Sequence, residues 1–354
     1  MQEKKKLVLL VNLGSPNKLS VSAIRLFLAK FLSDRRVVNL PKILWHPILY
    51  GIILPFRAPK LFKLYSKIWH KSGVSPLIYY TKMQAEKLSE RIQSTEIYYM
   101  DSSQVRSDRE NLNDIGHING ASASANNDVI VLHAFCYSTP EIKNVLLDMH
   151  AKYEITNLTV VPLYPQFSST TTLPVFDQVA SFYKDKYYLP NIQLIRGFHA
   201  NKEYINLIAK KIQASWASNG PADKLVLSFH SLPINIISKG DSYYDECLNT
   251  SKLIAEKLNL SESEYLVSFQ SKFGRQKWLT PVTSTELINL AKDNMGVDII
   301  CPGFVSDCLE TLEEINVTNR KLYMDNGGIK YTYIDCLNDD DEFITVLESI
   351  AKDL

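Results

Sequence analysis

The chain has 354 residues, of which 45% are hydrophobic and 22% are charged, and its formal net charge is +1. This length suits two domains, and the near-neutral charge excludes a nucleic-acid-binding protein that relies on bulk positive potential. The five cysteines include no CxxC pair, which argues against a zinc ribbon or a disulfide-stapled secreted domain and favours reduced thiols in the cytoplasm.

The first element in chain order is a predicted β-strand at residues 7–12, LVLLVN, which ends in a glycine turn. The next segment is residues 37–56, VVNLPKILWHPILYGIILPF, which we term the apolar lip. Its unbroken apolar part, residues 48–56, is about half of the ~20 residues that a membrane-spanning helix needs. Three alternatives stay open: a helix on a bilayer surface, the wall of a pocket for a greasy anionic ligand, or a core helix with solvated ends.

Residues 94–128 are rich in Ser, Asn, Asp and Gly and predict an exposed, flexible insertion that carries no chemistry. Outside this insertion, short apolar runs alternate with helical patterns. The runs lie at residues 129–135, 158–163, 192–196, 225–230, 265–270 and 298–304, and helices are predicted at 20–32, 81–92, 140–153, 202–217, 243–258, 284–294 and 307–315. Runs that are apolar on both faces predict parallel sheets covered by helices. The expected fold is therefore α/β, with two similar doubly wound lobes whose ligands collect at the carboxyl ends of the strands.

Two polar loops follow predicted strands. LYPQFSSTTT, residues 163–172, offers a dense set of hydroxyls that could either hold an anion or cap the next helix. FQSKFGRQKWLTP, residues 269–281, places Lys272, Arg275, Lys277 and Trp278 after a strand. An indole with cations suits a flat aromatic substrate that carries carboxylates.

A histidine closes the strand at residues 225–230. In SFHSLP, residues 228–233, His230 ends the apolar run and a proline turn follows. At a strand end the imidazole could accept a proton or bind a metal, although a hydrogen-bonded structural histidine is equally compatible with this position.

A row of acids follows in CPGFVSDCLETLEEIN, residues 301–316. Asp307, Glu310 and Glu314 are spaced by three and four residues, so on a helix their carboxylates form one stripe. Such a run is usually a solvated helical face. The alternative is a line of oxygen ligands that passes a hard divalent cation towards His230. Together these features suit a large flat dianion with a central metal site.

These motifs, together with LLVNLGSP (9–16), FLSDRRVVNLP (31–41), GIILPFRAPK (51–60), YSKIW (65–69) and SPLIYYT (75–81), resemble the ferrochelatase family, whose members insert ferrous iron into a porphyrin in the last step of haem synthesis. The resemblance implies two flavodoxin-like lobes with the porphyrin between them. It divides the chain into residues 1–172 plus 331–354 and residues 173–330.

The resemblance also implies roles for individual residues. His230 and Glu310 match the family's catalytic pair, and His230, Glu310, Asp307 and Glu314 match its metal ligands. By their place in the motifs, the substrate-binding residues are Leu13, Arg57, Lys67, Thr81, Tyr137, Ser169 and Trp278. Leu13 stands where coproporphyrin-using relatives tend to have tyrosine, so protoporphyrin IX is the expected substrate.

Other expectations concern partners and cofactors. Fe²⁺ is a substrate, and no cofactor is expected; a 2Fe–2S cluster is not expected either, because Cys336 is isolated near the final AKDL. In FCYSTP, residues 135–140, Cys136 replaces the family's usual arginine, and Lys67 or Arg57 is expected to compensate.

The protein is expected in the cytoplasm, with peripheral contact at the inner membrane through the lip. The rivals are a chelatase for cobalt or nickel and a non-catalytic haem carrier.

Overall fold

The computed structural model describes residues 2–92, 128–272 and 276–352. Almost all of the predicted insertion at 94–128, and Arg275 in the cationic loop, therefore lie outside the described residues. The described strands are β1 (Lys4–Asn12), β2 (Val129–Phe135), β3 (Glu154–Pro162), β4 (Asn191–Leu194), β5 (Lys224–His230), β6 (Tyr265–Gln270), β7 (Val297–Ile300) and β8 (Tyr331–Ile334).

Helices cover both sheets. They are α1 (Val21–Ser33), α2 (Lys42–Ile48), α3 (Leu54–Ile68), α4 (Pro76–Arg91), α5 (Ile142–Lys152), α6 (Thr172–Tyr183), α7 (Lys202–Asn219), α8 (Ile234–Ile237), α9 (Tyr243–Leu258), α10 (Thr283–Lys292), α11 (Arg320–Asp325) and α12 (Asp341–Lys352), with π-helices π1 (Leu49–Ile53) and π2 (Leu309–Asn319).

The strands form two parallel four-stranded sheets, in the orders β2-β1-β3-β4 and β6-β5-β7-β8. The predicted α/β class and its two similar lobes are confirmed. In each sheet the first strand lies inside, between two neighbours, so it must be apolar on both faces. Residues 7–11 of β1 and residues 225–229 of β5 are accordingly buried.

The sheets divide the chain differently from the predicted boundary at residue 172. Strand β4 pairs with β3 and so belongs to the first lobe, whereas β8 pairs with β7 in the second. A strand joins the sheet whose edge can hydrogen-bond with it, and its place in the chain does not reveal that edge. Helix α12 lies against both α4 and α7, so the C-terminal segment does contact the first lobe.

One apolar core runs between the lobes. It joins Leu10 of β1 and Leu88 of α4 to Ile254 of α9 and Phe343 of α12, among others. Because these side chains are buried together, the lobes are held face to face and the carboxyl ends of β1 and β5 keep a defined relation.

From Lys42 onward the lip is helical, as α2, π1 and the first turn of α3, and residues 37–41 form a non-helical lead into it. Leu49 and Leu54 are buried, but Ile43 is 88% exposed and Phe56 is 69% exposed. The core-helix alternative is therefore wrong for the outward-facing residues. Within the described parts of the chain, no helix combines the length and apolarity needed to cross a bilayer.

Candidate functional site

The imidazole of His230 lies at the carboxyl end of the inner strand β5. Its Nδ1 is 2.7 Å from the carbonyl oxygen of Ser231. Since a carbonyl only accepts, this geometry assigns the hydrogen to Nδ1, and in the neutral ring Nε2 keeps its lone pair. Burial raises the pKa of the Tyr243 phenol at the start of α9, and the neighbouring backbone of His230 lowers it, so the phenol lies beside this strand end. The chain thus holds a partly exposed nitrogen base in a fixed orientation.

Glu314 of π2 is the acid whose surroundings are best defined. It accepts hydrogen bonds from the backbone N–H of Ser271 at 2.7 Å and from the Ser271 hydroxyl at 2.5 Å. Ser271 adopts a φ of +66°, a left-handed conformation that is uncommon outside glycine, and it occurs directly after β6. Burial raises the pKa of Glu314, as does the charge of Glu310, whereas the Ser271 hydrogen bonds and the charge of His230 lower it. The pKa of Glu314 therefore depends on the charge of His230, so the two side chains lie near enough to interact.

Glu310 lies one helical turn before Glu314. Its backbone carbonyl accepts a 2.9 Å hydrogen bond from Gln270 Nε2, at the end of β6. Burial raises the pKa of the Cys308 thiol, and the neighbouring Glu310 carboxylate raises it further. From the first lobe, the Arg57 guanidinium lies near enough that Glu310 raises its pKa, although burial lowers that pKa further. The carboxylate is thus placed between the lobes, opposite a cation.

Asp307 does not share this stripe. It precedes Cys308, the N-terminal cap of π2, and it is buried. Its carboxylate accepts hydrogen bonds from Tyr333 at 2.5 Å, Asn338 Nδ2 at 2.7 Å and Thr311 at 2.9 Å. The predicted single stripe is wrong here, because the α-helix expected at 307–315 is a π-helix that begins two residues later. Asp307 secures the start of π2 with oxygens that protein donors already occupy.

A preformed metal cluster is absent from residues 2–92, 128–272 and 276–352: no three His, Cys, Asp or Glu side chains there converge closely enough to hold an ion. His230, Glu310 and Glu314 are brought to one region, but not into a closed cage.

Two of the predicted substrate-binding residues lie where a guest could meet them. Leu13 is partly buried directly after β1, and its carbonyl accepts a hydrogen bond from the backbone of Tyr137. Trp278 is partly exposed, and its buried indole Nε1 has no hydrogen-bond partner among the described residues. Its backbone bridges to Pro233 in the turn after His230, which places the indole beside the histidine loop.

The other predicted contacts have protein partners. Thr81 is buried and accepts a hydrogen bond from Asn12 Nδ2 at 3.1 Å, and buried Tyr137 donates to Asp34 at 2.8 Å. Lys67 forms an ion pair with Glu313. Cys136 is buried, and burial raises the pKa of its thiol, so it offers no charge in place of the arginine.

The hydroxyl loop at 163–172 binds the protein's own carboxylates. Asp241 Oδ2 accepts from the hydroxyl of Ser168 at 3.0 Å and from both the N–H and hydroxyl of Ser169 at 2.6 Å. The N–H of Phe167 donates to Glu246 at 2.7 Å. The anions that this loop binds are thus carboxylates of the protein itself. The helix-capping alternative is not met by Thr171, the N-cap of α6, whose side chain makes no capping hydrogen bond. We term residues 166–169 with Asp241 and Glu246 the interlobe latch.

Glu246 is ionised within this latch. Burial alone would raise its pKa, but hydrogen bonds lower the pKa of Glu246 to about 2. The donors are His199, the backbone of Phe167, Ser242 and Arg196. A buried carboxylate with this many donors is held firmly.

Sequence reasoning missed three supporting residues: Gln270, Ser271 and Tyr243. Gln270 is paired in register with His230 on the neighbouring strand. Because parallel strand ends meet at one edge, the polar residue that closes YLVSFQ was the signal that could have found it.

A family model described as ferrochelatase matches residues 5–107 and 109–353. The chain is 39% identical to a ferrochelatase of Janthinobacterium sp. (strain Marseille) over 346 residues, which cover 98% of this chain and 85% of the relative. It is 38% identical to those of Aliivibrio fischeri (strain MJ11) and Proteus mirabilis (strain HI4320), covering 99% and 100% of this chain and 98% and 99% of the relatives.

Among solved structures, SirB from Bacillus subtilis with Fe³⁺ superposes with a TM-score of 0.53 at 10% identity and covers 99% of this chain and 95% of that chain. At this identity the likeness concerns the fold alone.

Proposed function

The chain belongs to the ferrochelatase family of lyases, which insert a metal into a porphyrin for haem synthesis, and we propose that this member takes Fe²⁺ and protoporphyrin IX to form protohaem. The observation that carries the proposal is the pairing of a base with acids on facing elements. His230 keeps an available Nε2 at the end of β5 while its ring is neutral, and once the ring is protonated its charge lowers the pKa of Glu314 of π2.

Insertion requires that two pyrrole protons leave while hydrated iron loses its waters. In our proposal His230 Nε2 accepts the two pyrrole protons one after the other and releases the first to solvent before it takes the second, since its Nδ1 hydrogen is committed to Ser231 and the ring is partly exposed. The carboxylates of Glu310 and Glu314 replace water around the entering Fe²⁺, because hard cations prefer oxygen ligands. Gln270 and Ser271 hold these acids, so the ligand row does not have to be ordered during the reaction.

The macrocycle would lie between the lobes. Leu13 gives it an aliphatic contact from the first lobe, and Trp278 gives it an aromatic one from the second. Its propionates need cations, and Arg57 is the best supported of the predicted ones because it faces the acids from α3. An aliphatic Leu13 also favours the less charged protoporphyrin over coproporphyrin.

We further propose that the protein works in the cytoplasm with its lip against the inner membrane surface. Exposed Ile43, Leu44, Ile52 and Phe56 support this placement, and Lys60 and Lys63 follow on the same helical segment. Apolar side chains flanked by cations are typical of interfacial segments that meet anionic lipids. An insoluble substrate could then be collected directly from the bilayer.

The test follows the porphyrin absorption change anaerobically with Fe²⁺, using protoporphyrin and coproporphyrin in parallel, and Co²⁺ and Ni²⁺ as competitors. His230→Ala should lower insertion by ~10²–10⁴-fold, the range typical of a lost acid–base group, while porphyrin still binds. His150→Ala, on remote α5, is the matched control and should insert iron normally. Normal turnover by His230→Ala would refute the assignment, and preferred insertion of Co²⁺ or Ni²⁺ would refute iron.

Glu310→Gln tests the acidic route. The amide keeps the shape of the side chain but cannot bind Fe²⁺ as strongly, so we expect severe loss of iron insertion with the fold intact. Glu256→Gln, exposed on α9, is the control. Wild-type iron kinetics in Glu310→Gln would count against this route.

A further inference from the structure

An ion pair joins the first lobe to the helix that carries the acids. Helix α3 packs against π2, and Lys67 Nζ lies 2.7 Å from Glu313 Oε1. The Glu313 side chain is only 4% exposed, whereas Lys67 is 48% exposed. Thr318 also donates to the two Glu313 oxygens, at 3.1 and 3.2 Å. A buried carboxylate of π2 thus has its cationic partner on the other lobe.

The main effect of such a pair is to fix the orientation of π2 relative to α3. Burying a carboxylate is costly, and its attraction to a partly exposed lysine roughly offsets that cost, so the pair itself adds little stability. Removing one partner, however, leaves a buried charge without compensation. The face of π2 that meets α3 is therefore set by the position of Glu313.

The orientation of Glu313 affects the site because of its neighbours. Glu310 lies three residues before it and Glu314 directly after it. A π-helix closes its hydrogen bonds from i to i+5 and has more residues per turn than an α-helix, so residues four apart project in similar directions. Rotation of π2 at Glu313 would move both acids together.

The two ends of this arrangement are held by different lobes. Gln270 and Ser271 hold Glu310 and Glu314 from the second lobe. Lys67 holds Glu313 from the first, on the helix that also carries Arg57. The pair thus links the first lobe directly to the helix that carries the acids, next to the packing of α3 on π2.

We propose that Lys67 is a positioning residue, which acts through Glu313 to set Glu310 and Glu314 against the macrocycle, and is not the propionate-binding cation that its motif implies. The inference rests on the proposed function. The two roles differ in kinetics: a propionate contact lowers KM for porphyrin, whereas a positioning contact affects kcat.

The test compares Lys67→Met, Glu313→Gln, their double variant and Lys67→Arg, with Lys71→Met, four residues later and exposed, as the matched control. Lys67→Met and Glu313→Gln should each lower kcat by ~10-fold or more, since small misplacements of reacting groups are costly, with KM for porphyrin unchanged. The double variant should lose no more than either single one, because both remove the same link. Lys67→Arg should recover most of the activity, and Lys71→Met should match the wild type.

Porphyrin affinity, measured separately by fluorescence quenching, shows that each variant is folded. If Lys67→Met leaves buried Glu313 too costly to fold, the double variant, which has no buried charge at this point, still gives the answer. A raised KM for porphyrin in Lys67→Met with unchanged kcat, additive losses in the double variant, or wild-type kinetics in Glu313→Gln would each overturn the inference. Failure of the wild-type protein to insert Fe²⁺ would instead refute the proposed function.

Discussion

The apolar lip and the interlobe latch each depart from the usual burial of apolar side chains and exposure of polar ones. The lip turns large aliphatic and aromatic groups towards solvent, as Ile43 and Phe56 show. The latch buries serines and carboxylates between the lobes, where Asp241 is only 8% exposed. An exposed apolar patch indicates a partner outside the chain, whereas a buried polar group must find its partners within it.

This difference distinguishes two segments whose sequences both suggest a binding surface. Both had the composition of a ligand-binding surface. The hydroxyls of the latch already have carboxylate partners in the folded chain, so the latch contributes to stability. The lip has no such partner for its outermost side chains among the described residues, which supports the proposal that it contributes to recruitment. The following predictions test that separation, from the largest expected effect to the smallest.

Asp241→Asn should cause the largest loss of stability. The carboxylate accepts bonds from Ser168, Ser169 and the N–H of Tyr243, and an amide cannot satisfy all of these donors. We expect the free energy of unfolding to fall by about 3 kcal/mol, as for lost hydrogen bonds to a charged group, measured by urea denaturation. Ser169→Ala, which removes one donor, should cost about 1 kcal/mol. A loss in Asp241→Asn no larger than that in Ser169→Ala would contradict the assigned role of the latch.

Acid should weaken the latch through Glu246. Its pKa in the folded protein is about 2, below the ordinary glutamate value of about 4.3. A lowered folded-state pKa gives stability that is present above the ordinary value and is lost as pH falls towards 2. Unfolding measured between pH 5 and pH 2 should therefore depend more steeply on pH in the wild type than in Glu246→Gln. Equal slopes in both proteins would show that Glu246 is not held as described; Glu256→Gln, exposed on α9, should keep the wild-type slope.

The lip should respond in the opposite manner. Ile43→Ser with Phe56→Ser should change the free energy of unfolding by less than about 0.5 kcal/mol, because both side chains are already in water. Binding to vesicles of phosphatidylethanolamine and phosphatidylglycerol should weaken by ~10-fold or more, since each side chain loses transfer free energy. Sedimentation with vesicles measures this, and Ile329→Ser, exposed on the second lobe, is the control. Unchanged sedimentation would remove the lip from membrane contact.

The sequence could predict elements whose signal is local. The runs that became β1, β2 and β5 are apolar on both faces, and His230 ends one of them, so its place at a strand end followed directly. Strand β8, YTYI, is too short to be distinguished from a loop. The start of π2 was placed too early because the spacing of acids does not distinguish a π-helix from an α-helix.

The remaining features depend on partners that are distant in the chain. Ser169 meets Asp241 across 72 residues, and Lys67 meets Glu313 across 246. The sequence alone does not distinguish a hydroxyl or an amine that binds a substrate from one that binds a carboxylate of its own chain. Thr81, Tyr137, Lys67 and Ser169 were therefore assigned to a ligand by motif, although each has a protein partner in the fold.

The shared strand order of the two sheets has one more consequence. It makes β1 and β5 structural counterparts. His230 is the last residue of β5, and the equivalent last residue of β1 is Asn12, which Leu13 follows. A disc held between these equivalent edges would meet an aliphatic group on one side and a base on the other. In the proposed complex, pseudo-symmetry of the backbone would thereby give the guest two unlike faces, and deprotonation would be confined to one of them.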